Sequence, residues 1–281
     1  MKIGFKTSQT NVDWPTLLAT WELGDELPVF DSGWIFDHFV ALGAGGGGSH
    51  EAFVTLAALS ARTRRLQIGH LVLGNTYRHP ALTAKSGATM DHVSGGRFVL
   101  GLGAGWHEEE HEMYGMDLPP IGERISMLES ATRLIKDLWR SPTGVTLEAP
   151  PYALRDAVCD PPPLTVGGPP IWLGTQGLRR GLRIVAELAD GWNQTGDPGS
   201  FPEKRDALLH HCEAVGRDPG EIEISAQAFV RDGYAATLEV AATYLRQGAQ
   251  HVMLVMPADQ GPEGLKRLAV EVAEPLREQF G

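Results

Sequence analysis

Cysteine is scarce in this chain, because its 281 residues include only Cys159 and Cys212. These two residues lie 53 positions apart, which is neither a metal-binding nor a redox spacing. Two isolated cysteines cannot provide the disulfide framework on which small secreted domains depend. The sequence therefore predicts a protein that folds around its own hydrophobic core in a reducing cytoplasm.

Positive charge and long apolar runs are also lacking. The chain has 24 lysine and arginine residues against 35 aspartate and glutamate residues, a formal net charge of −11. This balance argues against nucleic acid or an anionic membrane surface as the main partner, although a few local cations can still hold an anionic cofactor. No apolar run approaches the roughly 18 residues of a membrane span. The opening MKIGFKTSQ lacks the apolar segment of a signal peptide, so a cytoplasmic location is expected.

What the chain does contain is a regular alternation of short apolar runs and longer helical patterns. Eight β-type runs, from KIGFK (2–6) to HVMLVM (251–256), are each followed by a helical segment. Several runs are apolar throughout, as in strands buried on both faces. The pattern predicts one α/β domain over residues 1–281, a single (β/α)8 TIM barrel, with an open doubly wound sheet as the alternative.

Two irregular segments are expected near the active-site end of such a barrel. Residues 140–169 form a proline-rich insertion in which VTLEAPPYAL predicts a small hairpin. The insertion is either a covering loop or a lid. The segment ALGAGGGGSH (41–50) predicts a mobile loop bordering the pocket, with a phosphate-binding nest as the alternative.

The stretch GWHEEEH (105–111) contains His-Glu-x-x-His, the spacing of a zinc-protease helix. Here it directly follows GLGAG, a strand end and a glycine turn, and no residue is spaced as a third ligand. The glutamates complement a helix dipole without any metal, so we predict no metal site. The glycines at 101–105 also fall short of a dinucleotide fingerprint, because Trp106 occupies the third glycine position. They are interpreted as letting backbone approach a flat ligand.

Four segments together resemble the luciferase-like monooxygenase superfamily, in particular its branch of oxidoreductases that use the deazaflavin coenzyme F420. They are DSGWIFDHF (31–39), the segment 68–115 ending GAGWHEEEHEMYG, PPIGERISMLESATRLIKDLW (119–139) and PPIWLGTQGLRRGLRIVAELADGWN (169–193). The likeness covers nearly the whole chain. It implies a (β/α)8 barrel with a flavin-like ring in its mouth, and it explains HEEEH as a turn beside the cofactor.

The resemblance also implies which residues bind that cofactor. Leu71 and Val72 match a non-prolyl cis peptide that backs the ring. A phosphate loop at a helix N-terminus is matched by Gly174, Thr175, Gln176, Gly177 and Leu178. The other expected contacts are Asp37, His38, Gly74, Asn75, Thr76, Gly105, Trp106 and His107.

Hydride chemistry on such a cofactor requires one proton to be managed. His38 is the first candidate for that role and His107 the second, with a hydrogen bond to the cofactor as the alternative for His38. Lys6 could point into the pocket or out of it. The related sugar-phosphate dehydrogenases have carboxylates where this chain has KTSQTN (6–11) and Trp106, so their substrate is not implied.

The resemblance favours an F420-dependent oxidoreductase acting on a small, partly apolar molecule with a carbonyl group or an activated double bond. An FMN-dependent monooxygenase of the same fold and a non-catalytic flavin-binding protein are the alternatives. The family likeness further implies a homodimer. Neither a nucleic-acid nor a membrane partner is expected.

Overall fold

A closed ring of parallel strands surrounds the centre of the computed structural model, which describes residues 1–42, 47–141 and 143–281. The strands are β1 (Lys2–Lys6), β2 (Ser32–Ile35), β3 (Gln67–His70), β4 (Leu73–Gly74), β5 (Phe98–Gly103), β6 (Val145–Ala149), β7 (Tyr152–Ala157), β8 (Ile171–Leu173), β9 (Gly191–Gln194), β10 (Glu223–Phe229) and β11 (His251–Val255). The helices are α1 (Trp14–Glu26), α2 (Ala52–Arg62), α3 (Pro80–Ser94), α4 (Glu108–Met113), α5 (Ile121–Arg140), α6 (Arg180–Leu188), α7 (Phe201–Val215), α8 (Tyr234–Arg246), α9 (Gly261–Leu268) and α10 (Glu274–Phe280). Within the described ranges, none of these helices combines the length and apolar character needed to cross a membrane.

The barrel sheet runs in the order β3, β2, β1, β11, β10, β9, β8, β5 and β4, and pairing of β3 with β5 closes it. Every pairing within this sheet is parallel. Because β3 and β4 are two parts of the third barrel strand, the ring has eight strand positions. The predicted (β/α)8 barrel is confirmed, and the closing pair excludes the open sheet.

The third barrel strand contains a bulge. Ile68 pairs with Phe98 and Leu73 pairs with Leu102, so this strand uses one residue more than β5 over the same span. The extra residue falls in the gap between β3 and β4. The peptide bond that joins Leu71 to Val72 in that gap is cis, as predicted.

Alternation along β1 decides which of its side chains enter the barrel. Phe5 packs outward, edge-on to Trp21 of α1 with ring centroids 5.4 Å apart. Its neighbours Gly4 and Lys6 therefore point inward. Gly4 leaves room for Trp34, since an added Cβ would lie 2.9 Å from the indole nitrogen.

The N-terminal half of the barrel interior is filled. Trp34 and Trp172 stack with ring centroids 5.0 Å apart. His251 Nε2 lies 2.8 Å from Ser32 Oγ, and His251 Nδ1 lies 2.9 Å from Glu223 Oε1, a spacing like that of a catalytic triad. Ser32 and His251 are completely buried, however, and the Trp34 indole also donates to Ser32 Oγ. These groups therefore tie strands together and fill this end of the barrel.

The insertion 140–169 contains the predicted hairpin, because β6 and β7 pair antiparallel. Ser130 of α5 donates to the Pro150 carbonyl at 3.0 Å. Asp91 of α3 accepts from the backbone N–H of Thr165 at 2.6 Å. The insertion thus packs against α3 and α5 on the outer side of the barrel.

Candidate active site

A cavity of about 1100 Å³ opens at the C-terminal ends of the barrel strands. Barrel enzymes keep their active sites at this end, which we call the mouth, because its loops can vary without disturbing the strands. Most of the cavity wall is apolar. Its apolar side chains include Phe36, Leu71, Val72, Trp106, Ile121, Ile125, Phe229 and Val255. The space therefore suits a flat, largely apolar molecule.

Twelve of the fifteen predicted cofactor-binding residues line this cavity. They leave β2, the third strand, β5 and β8, so the barrel brings together four segments that are far apart in the sequence. These residues are Asp37, His38, Leu71, Val72, Gly74, Gly105, Trp106, Gly174, Thr175, Gln176, Gly177 and Leu178. Their contact with a cofactor remains a prediction.

Asn75 and Thr76 are not part of the cavity lining. Asn75 Nδ2 donates to the Tyr152 hydroxyl of the hairpin at 3.2 Å, and Thr76 Oγ1 lies 2.7 Å from His111 Nε2. These contacts hold the rim of the barrel. The expectation that Asn75 and Thr76 contact the ring stays a prediction.

The two histidines of the His-Glu-x-x-His spacing both have structural partners. His107 lies outside the cavity lining and caps α4, its Nδ1 accepting from the Glu110 N–H at 3.2 Å. His111 is buried, with Nδ1 2.7 Å from the His107 carbonyl oxygen and Nε2 bonded to Thr76. Among the described residues, no group of three or more His, Cys, Asp or Glu is placed to hold a metal ion. His107 therefore caps α4, and its role as the second candidate for the proton stays a prediction.

His38 is held in one orientation by a buried carboxylate. Its Nδ1 lies 2.8 Å from Glu110 Oε2. Glu110 also accepts from the backbone N–H groups of Phe39 and Val40, at 2.7 and 3.1 Å, and from the Tyr77 hydroxyl at 2.6 Å. Because an ionised carboxylate can only accept, Nδ1 is the nitrogen of His38 that carries the proton. Nε2 is left as an acceptor beside the cavity that His38 lines.

Burial and hydrogen bonding set the protonation states of this group. Burial lowers the pKa of His38 below its ordinary value, and Glu110 and Asp37 only partly offset this effect. Burial alone would raise the pKa of Glu110, but the hydrogen bonds from Tyr77 and His38 outweigh it and keep that pKa low. Burial and the Glu110 contact raise the pKa of Tyr77 far above its usual range. At neutral pH the group therefore consists of a neutral imidazole, a carboxylate and a phenol.

Asp37 fixes the exit of the third strand. The Arg78 guanidinium binds both of its oxygens, at 2.6 and 3.0 Å, and the Gly74 N–H donates to Oδ2 at 3.0 Å. Arg78 also contacts Glu51. Burial raises the pKa of Asp37, and the Arg78 contact opposes that rise. Asp37 lines the cavity, but both of its carboxylate oxygens already bind Arg78 and one of them also binds the Gly74 N–H.

Val72 forms an apolar wedge in the cavity wall. A Cβ added at Gly103 would lie 2.7 Å from Val72 Cγ2, and one added at Gly174 would lie 3.0 Å from Cγ1. A Cβ at Gly101 would lie 1.9 Å from the His70 carbonyl oxygen. The glycines at 101 and 103 thus make room for the bulge of the neighbouring strand. Gly103 and Gly105 also line the cavity, and their approach to a flat ligand stays a prediction.

The loop after β8 leads from the cavity to the start of α6. Residues 174–178 line the cavity together with Arg179 and Arg180. No side chain caps the N-terminus of α6, so its first N–H groups are not satisfied by a side chain. Lys204 Nζ donates to Gln176 Oε1 at 2.7 Å and adds positive charge nearby. This arrangement can hold a phosphate group.

Lys6 points into the barrel and lines the cavity, which answers the question that the sequence leaves open. Its Nζ donates to the Leu71 carbonyl oxygen and to Gln227 Oε1, both at 2.9 Å. Burial lowers the pKa of Lys6 to about 7. Lys6 is therefore a polar group at the inner end of an otherwise apolar cavity.

Glu110, Tyr77 and Arg78 belong to the site but are not predicted from the sequence. The pattern places Glu110 in an acidic first turn that complements the helix dipole. The available signal is that three consecutive glutamates on a short helix cannot all face solvent, so one of them must face the barrel. Tyr77 and Arg78 lie inside the segment 68–115 that carries the family resemblance.

The two irregular segments contribute little to the cavity. Within the segment 41–50, Leu42 lines it, while residues 43–46 lie outside the described residues. None of the described residues of 140–169 lines it. The choice between a covering loop and a lid for the insertion stays open.

Family comparison agrees with this geometry. The luciferase-like monooxygenase family matches residues 8–276, which is nearly the whole chain. The chain belongs to this family.

Two curated relatives of this luciferase-like protein are named as redox enzymes. The F420-dependent glucose-6-phosphate dehydrogenase of Kineococcus radiotolerans is 35% identical over 228 residues, which cover 79% of this chain and 66% of that protein. A phthiodiolone/phenolphthiodiolone dimycocerosates ketoreductase of Mycobacterium sp. (strain JLS) is 33% identical over 188 residues, covering 65% and 48%. The chain thus spans about half to two thirds of the length of these relatives.

Among solved structures, an F420-dependent secondary alcohol dehydrogenase in complex with an F420–acetone adduct superposes with a TM-score of 0.85. The superposition covers 96% of this chain and 98% of that one at 17% identity. At that identity the likeness shows the fold alone.

Proposed function

We propose that this chain is an oxidoreductase that binds coenzyme F420 at the barrel mouth. Hydride would pass between the deazaflavin ring and a small, partly apolar substrate with a carbonyl group or an activated C=C bond. One observation carries the proposal: the Val72 wedge, the loop 174–178 and the His38–Glu110 pair all meet in a single apolar cavity. The names of the two curated relatives, an F420-dependent dehydrogenase and a ketoreductase, support it.

Each part of the cavity fits one part of the cofactor. Val72 offers an apolar face for one side of the ring, and Asp37 holds Gly74 at the edge of that face. The loop 174–178 presents the uncapped start of α6 to the phosphate. When bound, a deazaflavin supplies a carbon that gives or takes hydride and reacts poorly with oxygen.

His38 is the residue that we propose handles the substrate proton. Glu110 holds Nδ1–H, so Nε2 can accept a proton from an alcohol or, once protonated, donate one to a carbonyl oxygen. The Trp106 ring lies edge-on to His38 with centroids 5.5 Å apart. Trp106 thereby limits how a substrate can reach Nε2.

The cavity wall favours a neutral, partly apolar substrate over a sugar phosphate. Trp106, Ile121 and Phe229 supply apolar surface around the opening. The carboxylate found among the described lining residues is that of Asp37, and Arg78 already neutralises it. No free carboxylate of the described lining is thus available to bind sugar hydroxyls.

Titration of the apoprotein with F420 and with FMN, followed by ring fluorescence, tests the proposal. We expect F420 to bind with the lower Kd and a panel of ketones and secondary alcohols to be turned over with it. Tighter binding of FMN with oxygen-dependent turnover would indicate a monooxygenase. Binding without turnover of any panel member would indicate a flavin-binding protein.

The same titration with a variant that carries a charge in the cavity wall tests where the ring binds. Val72→Asp puts a carboxylate where the ring is proposed to lie and should weaken F420 binding by about tenfold or more. Val166→Asp is the matched control, because Val166 is fully exposed. Equal Kd values for the two variants would contradict the placement of the ring.

We also propose a homodimer, as the family resemblance implies. Light scattering at micromolar concentration tests this, and a monomer would contradict it.

A further inference from the structure

The amine of Lys6 bridges two strands that do not neighbour its own. In the barrel, β1 lies between β2 and β11. Lys6 Nζ nevertheless bonds Leu71 in the bulge of the third strand and Gln227 on β10. It therefore crosses the barrel interior at the inner end of the cavity, beside the wall that contains Val72.

The two hydrogen-bond partners of Lys6 Nζ are both acceptors, so each of them takes one N–H of the amine. The Leu71 carbonyl oxygen can only accept. Gln227 presents its oxygen to Lys6 because its Nε2 donates to Asn193 Oδ1 at 2.6 Å, and Asn193 Nδ2 in turn donates to Ser225 Oγ at 2.9 Å. A neutral amine has two N–H groups, which these acceptors satisfy, whereas an ammonium has three. No described residue accepts a third hydrogen bond from Nζ.

Nearby charges do not stabilise an ammonium here. Among the described residues no carboxylate contacts Lys6, and burial lowers its pKa to about 7. The neighbouring strand β11 carries the ionisable His251. In the strand register His251 lies opposite Lys2, at the other end of β1 from Lys6. The ionisable side chains that share the cavity with Lys6 are Asp37, His38, Tyr77, Arg179, Arg180 and Arg231. Asp37 is neutralised by Arg78, so within the described chain a protonated Lys6 has no free counter-charge and no third acceptor, and only the Phe36 ring, 5.5 Å from Nζ, favours the ammonium.

We propose that Lys6 donates a hydrogen bond to a carbonyl oxygen of the bound cofactor ring and takes up one proton from solvent as the cofactor binds. This inference rests on the proposed function. Lys6 bonds the Leu71 carbonyl, and Leu71–Val72 is the wall on which the ring is proposed to lie, so the polar atoms of the ring are the nearest source of a third acceptor. With its third hydrogen bond made to the ring, the protonated Lys6 places a positive charge beside the cofactor. This charge favours the form of the ring that carries more negative charge.

The number of protons exchanged on binding tests this directly. F420 is titrated calorimetrically into the whole protein near pH 8 in HEPES and in Tris, whose ionisation enthalpies differ. We expect uptake of nearly one proton. Above pH 7 the wild-type Kd should rise by about tenfold for each pH unit, because binding then requires protonation of the amine.

Lys6→Met keeps the length of the side chain and removes the amine. It should bind F420 about tenfold more weakly at pH 7, take up less than half a proton and show a nearly flat Kd above pH 7. Lys266→Met, at an exposed lysine of α9, should behave like the wild type in all three measurements.

Binding of F420 to the wild type without proton uptake would overturn the inference, even if Lys6→Met failed to fold. A wild-type pH dependence in Lys6→Met would also overturn it. Proton uptake that appears only when a ketone is added to the binary complex would assign the oxygen to the substrate and contradict the assignment to the ring. Failure of the wild type to bind F420 at all would instead contradict the proposed function.

Discussion

His38 Nδ1 lies 2.8 Å from Glu110 Oε2, although the two residues are 72 positions apart in the sequence. Glu110 is fully buried and also accepts from the backbone N–H of Phe39, so one carboxylate fixes both this loop and the His38 imidazole. The contact leaves Nε2 of a neutral imidazole beside the cavity. It is the arrangement by which we expect the proton to be handled.

Glu110→Gln removes the charge while keeping the shape of the side chain. We expect kcat to fall by about 100-fold or more, because a histidine that is not held in the correct tautomer loses much of its acid–base catalysis. The Kd for F420 should stay within a few-fold, since Glu110 does not line the cavity. Glu109→Gln, at the exposed neighbouring position, is the matched control.

A pH profile separates this role from a merely structural one. The Glu110 carboxylate raises the pKa of His38 against the larger effect of burial. Its removal should therefore move the acid limb of alcohol oxidation, which requires neutral His38, to lower pH. An unmoved acid limb with only a lower melting temperature would show that Glu110 acts on folding alone.

His70 should make the fold sensitive to acid. Burial lowers its pKa to about 3 from an ordinary 6.5, and its Nδ1 has no hydrogen-bond partner among the described residues. Between these values the unfolded chain binds the proton more readily, so stability is full above pH 6.5 and declines as pH falls toward 3. The decline is about 1.4 kcal/mol per pH unit for this group.

Urea unfolding at pH 7 and pH 5 measures the effect. Between the two pH values, His70→Phe should lose about 2 kcal/mol less free energy of unfolding than the wild type. Phe retains a ring beside Phe53 and Phe98. His210→Phe, at an exposed histidine, should lose as much as the wild type, and equal losses in all three proteins would refute the assignment.

Gly103→Ala tests the packing of the wedge. The added Cβ would lie 2.7 Å from Val72 Cγ2, so we expect a loss of about 1–3 kcal/mol in the free energy of unfolding and weaker F420 binding. A second substitution, Val72→Ala, should restore part of the stability by removing the clashing methyl group. At Gly122 an added Cβ meets nothing within 4 Å, so Gly122→Ala is the control. A stable Gly103→Ala with unchanged F420 binding would contradict the packing.

His111→Ala tests the zinc alternative. It removes the hydrogen bonds to Thr76 and to the His107 carbonyl, so we expect a loss of about 1–3 kcal/mol in the free energy of unfolding. Binding of F420 should stay within a few-fold, and elemental analysis of the wild type should find no stoichiometric zinc. Zinc that is lost with activity in this variant would revive the hydrolase alternative.

The periodicity of the sequence predicts the barrel because each apolar run and its helix are local features. The cis bond between Leu71 and Val72 is predicted through the family resemblance, since composition carries no signal for it. Strand alternation alone does not say whether Lys6 or Phe5 enters the barrel. The packing of Phe5 against Trp21 on α1 decides this, and it is a tertiary contact.

The candidate site is predicted less completely than the fold, for physical reasons. His38 comes directly after a strand, where side chains of a barrel meet. Glu110 faces the site because of the orientation of α4 about its axis. Three consecutive glutamates do not indicate which of them faces the barrel. The family resemblance places Asn75 and Thr76 at the ring. Their side-chain contacts with Tyr152 of the hairpin and with His111 join residues far apart in the sequence, so the sequence does not predict them.

A crystal structure of the protein with F420 bound would locate the ring, the phosphate and His38 together. We expect the ring against Leu71–Val72, the phosphate on the loop 174–178 and His38 Nε2 facing the open side of the ring. We also expect a ring oxygen within hydrogen-bond distance of Lys6 Nζ. A ring lying against another wall, or a phosphate held away from the start of α6, would contradict the proposed binding mode.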